Sequence, residues 1–103
     1  MPPKRSLRKA VDEITPVGCA AGRGLIREEV WQDADSEIAR YNLAFINHFM
    51  MRGDNGRVLG YDNGHGFHHR HFKGAIEPME YVDYPGLRER FIREVRELRK
   101  ELP

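Results

Sequence analysis

The hydrophobic period of this chain changes from two to about 3.6, and that change dictates a mixed fold. In "EIARYNLAFINHFM", Ala39, Tyr41, Leu43 and Phe45 fall on one face, and Ile38, Arg40, Asn42 and Ala44 on the other. Alternation of this kind predicts a half-buried strand. Beyond Tyr84, Pro85 can open a helix, and Leu87, Phe91, Val95, Leu98 and Leu102 recur at spacings of four, four, three and four. These residues make one apolar helical stripe. A strand region followed by one amphipathic helix predicts an α+β unit, an antiparallel meander of four to five strands with the helix packed on one face.

The remaining strands are read from local signals. "LIREEVWQ" mixes β-branched and aromatic residues with charges and ends at the polar turn "DADS", which predicts a first strand. Asn55-Gly56 accepts the positive φ angles of a type I′ turn and predicts a hairpin into "RVLGYD". Gly64 and Gly66 permit a reversal before "FHHRHF", and "EPMEYVDY" reads as a last strand that Pro78 places at an edge. Residues 1–23 hold three prolines, several basic residues and the bland run "VGCAAGRG", and read as an irregular basic arm ahead of a single domain at 24–103.

Composition narrows the functional classes. A chain of 103 residues leaves little room for a second core. Seventeen Lys and Arg against sixteen Asp and Glu give a net charge of +1, so no bulk field selects an anionic partner. A lone Cys19 rules out an internal disulfide and is the usage of a reducing cytoplasm. No segment approaches the roughly 20 apolar residues of a membrane span, and the basic start lacks the apolar stretch of a secretory signal. The expectation is a cytoplasmic protein without membrane attachment. Phosphate-binding, nucleophile-elbow and dinucleotide motifs are absent from the sequence.

Four of the five histidines fall within "YDNGHGFHHRHFKG", Tyr61 to Gly74. Imidazole titrates nearest to neutral pH, so such a cluster suits proton transfer, phosphate contact or metal binding. If "FHHRHF" is extended, Phe67, His69 and His71 point one way and His68, Arg70 and Phe72 the other. His65, beyond the Gly66 bend, can join either face. Asp62 is close enough in sequence to orient a ring by accepting its N–H.

Three readings follow. The bland one is a polar strand surface with a hydrogen-bonded turn, since turns use these residue types anyway. A second is a transition-metal site, although the segment has neither a Cys pair nor zinc-type spacing. The third is metal-independent cleavage of RNA. One group takes the 2′-OH proton, another protonates the leaving 5′-oxygen, and cations stabilise the charged phosphorane. His68, His69 and His71 can act as base and acid, while Arg70, Lys73 or Arg57 neutralises phosphate. No cofactor is expected in that case. His48 reads as an ordinary surface or core-edge histidine. Trp31, Tyr41, Tyr61 and Phe67 would stack on bases if exposed, but strand aromatics are more often core. The terminal "PPKRSLRK" reads as a solubilising arm.

"GRVLGYDNGHGFHHRHFKG", followed by an acidic-aromatic stretch and the helix "LRERFIREVREL", resembles the TumE-like toxins of bacterial and archaeal toxin–antitoxin systems. The similarity spans roughly Leu25 to Leu102, and the matching residues are Tyr61, Asp62, Asn63, His65, His69, Arg70 and His71. Gly60 stands where an arginine often precedes "YDN", with Arg57 the nearest substitute. The basic arm has no counterpart in that resemblance. The resemblance implies a toxin neutralised by a cognate antitoxin, often a helix-turn-helix protein encoded in the neighbouring gene, and growth arrest through an mRNA-directed ribonuclease. Joined to the residue chemistry, it assigns His69 and His71 to the acid/base pair. Asp62 and His65 stand beside them, and Arg70, Lys73, Arg57, Tyr61 and His68 contact substrate. The alternatives are a non-catalytic nucleic-acid- or protein-binding module and a small His-rich metal protein; a homodimer is compatible with each.

Overall fold

The computed structural model describes residues 6–102. Six strands form one antiparallel sheet in sequence order: β1 (Arg8–Cys19), β2 (Gly22–Gln32), β3 (Ile38–Ile46), β4 (Arg57–Asp62), β5 (His69–Phe72) and β6 (Ala75–Pro78). Among the described residues one α-helix, α1 (Tyr84–Leu98), follows the sheet. The α+β class and the meander agree with the sequence reading, with one strand more than expected.

The additional strand is β1, and it corrects the reading of 1–23 as an irregular arm. Arg8 to Cys19 pairs with β2 along its whole length. The signal was hidden because Pro16 lies inside it and its alternation is blurred by charges. An edge strand tolerates Pro, whose missing N–H costs no ladder bond on the outer side. Only Val11, Val17 and Cys19 reach the core, and Ile14 is exposed.

The β3–β4 connection also differs from expectation. Asn55 and Gly56 do adopt positive φ, 54° and 80°, but Asp54 does too at 52°, and the link runs over residues 47–56 instead of a two-residue I′ turn. Asn47, buried, organises its start by accepting from the Phe49 and Met50 amides through Oδ1. β6 begins and ends earlier than "EPMEYVDY", because Met79 to Asp83 leaves the sheet to reach the helix. Pro78 does stand on the edge strand, as expected.

One sheet face and α1 enclose the core. Val30, Tyr41, Leu43, Phe45, Leu59 and Tyr61 meet Tyr84, Leu87, Phe91, Val95 and Leu98. Asp83 caps the helix by accepting from the Gly86 amide at 2.8 Å. The helix stops at Leu98, so Leu102 falls outside the stripe and is 74% exposed. Its C-terminal end is held by the β1–β2 turn: the Ala20 amide donates to the Arg99 carbonyl at 2.8 Å, and Arg99 Nε donates to the Gly18 carbonyl at 2.7 Å. Orphan carbonyls at a helix end need such partners. Arg88 and the Tyr84 hydroxyl both donate to buried Glu28, at 2.9 and 2.5 Å, and burial with that carboxylate pushes the Tyr84 hydroxyl well up.

Candidate active site on the open sheet face

The sheet face away from α1 is polar, and the strand register explains why its groups meet. Directly opposed residues run Asp12, Glu29, Asn42, Asp62 and His69 across β1 to β5, and the adjacent row runs Ile14, Arg27, Ala44, Gly60 and His71. Period two then places Asp62, His69 and His71 on one face, as the alternation of "FHHRHF" predicts.

Asp62 is the common partner. Its Oδ1 accepts from His69 Nε2 at 2.8 Å and from the Gly64 amide at 3.0 Å. Its Oδ2 accepts from His71 Nε2 at 3.1 Å. The two imidazole centroids are 4.7 Å apart at a steep angle, and the rings are 3% and 8% exposed as residues.

Arg57 joins them through a backbone irregularity. Phe45 pairs with Leu59 but Ile46 pairs with Arg57, so Val58 is an extra residue in β4. Strict alternation would send Arg57 toward the helix with Leu59 and Tyr61; the bulge turns it to the open face. There Arg57 Nη2 lies 3.1 Å from His71 Nδ1, while Nε and Nη2 hold Asp54 at 2.8 and 3.1 Å. Gly60 makes this possible, since a Cβ on it would stand 2.7 Å from Arg57 Cδ. The position that the family resemblance marks as departing is therefore the floor on which Arg57 rests.

These contacts make opposite demands on the two rings. Both nitrogens of His69 face acceptors, Asp62 Oδ1 and the Phe67 carbonyl at 3.0 Å, and both can donate only in the doubly protonated ring. His71 receives an arginine N–H at Nδ1 and gives its Nε2 proton to Asp62, the pattern of a neutral ring. Burial, then the Arg57 charge, lowers the His71 pKa, against the opposing pull of Asp62. Around the pair, Arg57, Asp62, His65 and Phe67 complete a cavity of about 310 Å³. Phe67 is 47% exposed. His65 stands at φ 63° in the Gly64–Gly66 turn, its ring 6.4 Å from that of His69.

Other residues expected in the site lie elsewhere. Arg70 points to the helix side, donating to Glu94 at 2.5 Å and Glu77 at 3.0 Å, so it cannot share a phosphate with His69 and His71. Tyr61 is fully buried and its hydroxyl donates to Glu94. His68 stacks on Tyr81 with centroids 4.0 Å apart and bonds the Tyr41 hydroxyl at 2.9 Å; burial lowers its pKa. Lys73 sits in the β5–β6 turn against Glu101. For Arg70, Tyr61 and His68 the cause is that alternate residues of a strand face opposite sides of the sheet; Lys73 lies past the end of β5, in the turn. The sequence reading missed Asp54, whose signal was its spacing of three from Arg57. Asn63, which the bland reading has serving the backbone of a turn, does bond the backbone. That side chain takes the Tyr41 amide and the Ala39 carbonyl, both at 3.0 Å, and so extends β4's pairing beyond its last residue.

The donor set Asp62, His69 and His71 has the composition of a metal site, with one ligand atom from each within 4.8 Å of the others. Arg57 argues against a resident cation. Its charge lies beside the cluster, and a metal on His71 Nε2 would put the ring proton on Nδ1, against an arginine N–H.

Two predictions arise directly. Gly60→Ala should keep the fold at a cost of roughly 1 kcal/mol while lifting Arg57 off His71. The imidazole ¹⁵N resonances of His71 would report the change, and an unaltered spectrum would contradict the floor role. Acidification should lower stability. The unfolded chain protonates its histidines near 6.5 while folded His71 and His68 resist, so protons favour the unfolded state below that pH. Burial pushes Glu29 up, but hydrogen bonds from Lys9, Asn42 and Arg27 outweigh it and hold the group at about 2, against an ordinary 4.5. Its contribution is complete above 4.5 and is lost as pH falls toward 2. The Tm should therefore fall between about pH 7.5 and pH 5.5, and more steeply below about pH 4.5. A Tm unchanged over the first interval would contradict a neutral His71.

Among known proteins, the family model described as Toxin TumE matches residues 12–99. The match takes in most of β1, which the sequence resemblance left without a counterpart. Neither the curated proteins nor the solved structures yield a match.

Proposed function

This chain belongs to the TumE toxin family, and from that premise we propose that it is a metal-independent endoribonuclease. Family membership makes it a toxin of a toxin–antitoxin system, with a cognate antitoxin as partner. The nuclease reading rests on one observation: two imidazoles share one carboxylate but differ in their other partner, the Phe67 carbonyl for His69 and Arg57 for His71. Two adjacent imidazoles held in different hydrogen-bond surroundings can supply an acid and a base.

In this reading an RNA phosphate draws Arg57 from Asp54 and His71. His71 Nδ1, now free, takes the 2′-OH proton. The 2′-oxygen bonds to phosphorus, the bond to the 5′-oxygen breaks, and His69 protonates that leaving oxygen. Asp62 positions both rings, Arg57 offsets the phosphorane charge, and His65 stands at the rim. Messenger RNA in the cytoplasm is the fitting substrate for a growth-arresting toxin, and the open face is the surface an antitoxin would cover.

A second reading is favoured by burial. Rings only 3% and 8% exposed, with every nitrogen bonded, can also serve as a polar staple between β4 and β5 in a non-catalytic binding module. Incubation of the purified chain with mixed-sequence RNA in excess EDTA separates the two. The nuclease leaves 2′,3′-cyclic phosphate ends at a rate that falls about 10²- to 10⁴-fold in His71→Gln and His69→Gln. RNA bound intact by a folded sample would overturn the nuclease reading in favour of the module.

A further inference from the structure

Beside the histidine pair lies a second concavity, of about 440 Å³, lined by Glu29, Trp31, Arg40, Asn42, Asp62 and His65. It shares Asp62 and His65 with the cavity over His69 and His71, so the two form one continuous groove. From these features we propose that the groove takes single-stranded RNA, with a base stacked at Trp31 and Arg40 while the neighbouring phosphate sits at Arg57. The inference deepens the nuclease reading by naming the form of nucleic acid and the subsite that holds it.

The register places the parts. Trp31 of β2 is directly opposite Arg40 of β3, and Asn42, two residues along, is opposite Asp62 of β4. Trp31 and Asp62 are therefore two strand spacings apart and offset by two residues along the strands, about 12 Å in all, within reach of neighbouring nucleotides. Trp31 is partly exposed on the sheet face that no other element of the described residues covers. Its indole carries the Arg40 guanidinium at 5.1 Å and the Lys9 ammonium at 5.0 Å from the ring centre. A base can stack on the exposed guanidinium plane or displace it from the indole, and the displaced arginine then meets phosphate. Phe67, exposed on the other flank of His65, offers a second ring. Lys9 and Arg27 neutralise Glu29 from 2.7 and 3.0 Å, which removes a carboxylate that would otherwise repel the backbone. Two rings flanking a cationic groove grip unpaired bases; in a duplex those faces are already stacked.

Trp31 is the chain's single tryptophan, so its fluorescence reads this subsite directly and without cleavage. The test titrates the full chain with a roughly 10-nucleotide single strand whose riboses are 2′-O-methylated, and with the same sequence as a duplex. Single strands should quench Trp31 saturably and the duplex far less. Anisotropy of the labelled strand should show affinity falling roughly 5- to 150-fold in Trp31→Ala, falling in Arg40→Ala, and returning in Trp31→Phe. Quenching with no cleavage of unmodified RNA would keep this inference and end the nuclease reading. Cleavage with no quenching, or binding within about twofold of the parent in Trp31→Ala and Arg40→Ala alike, would do the reverse.

Discussion

Asp62→Asn should abolish activity and cost about 2–3 kcal/mol of stability, which in a domain of this size lowers Tm by about 10 °C or more. The amide is nearly isosteric with the carboxylate, so packing is not the cause. In the parent, His69 Nε2 and His71 Nε2 both donate to Asp62, at 2.8 and 3.1 Å, and the Gly64 amide adds a third donor at 3.0 Å. An asparagine offers one oxygen to these donors and turns an NH₂ toward the others. His69 and His71 both lose a carboxylate acceptor, and β4 loses its side-chain tie to β5. Thermal melts of parent and variant measure the stability loss, and growth on induction measures toxicity. A variant that melts within about 2 °C of the parent would show that Asp62 is not the common anchor. Toxicity surviving in a folded Asp62→Asn protein would remove the carboxylate from the mechanism.

What was legible beforehand followed periodicity. The alternation in β3 fixed which residues face the helix, and the same rule applied to "FHHRHF" correctly placed His69 with His71 and separated them from His68 and Arg70. The sequence reading left both faces available to substrate, whereas a sheet covered by a helix has one accessible side. The direction of Arg57 was not legible, because it depends on a bulge at Val58 that no local residue type announces. Edge strand β1 was hidden for a related reason. Its stability comes from pairing with β2 and from the turn that holds the helix terminus at Arg99, contacts made by residues distant in sequence. Local propensity carries none of that information.

The helix stripe supplies the other large effect. Phe91 is fully buried and meets Tyr61 edge-on, with centroids 5.3 Å apart. Phe91→Ala should cost about 3–5 kcal/mol, a large part of the 5–15 kcal/mol typical of a whole domain, and shift the urea midpoint down by about 2–3 M. The loss should reach the site, because the Tyr61 hydroxyl and Arg70 share Glu94 on the helix and Tyr61 immediately precedes Asp62 in β4. The contrast is Leu102→Ala. Spacing alone puts Leu102 on the same stripe, but its side chain lies beyond the helix and is 74% exposed, so its removal should change stability by less than about 0.5 kcal/mol. Equal shifts in the two variants would mean that the helix continues past Leu98 and that the stripe, not the hairpin turn at Gly18 and Ala20, sets where it ends.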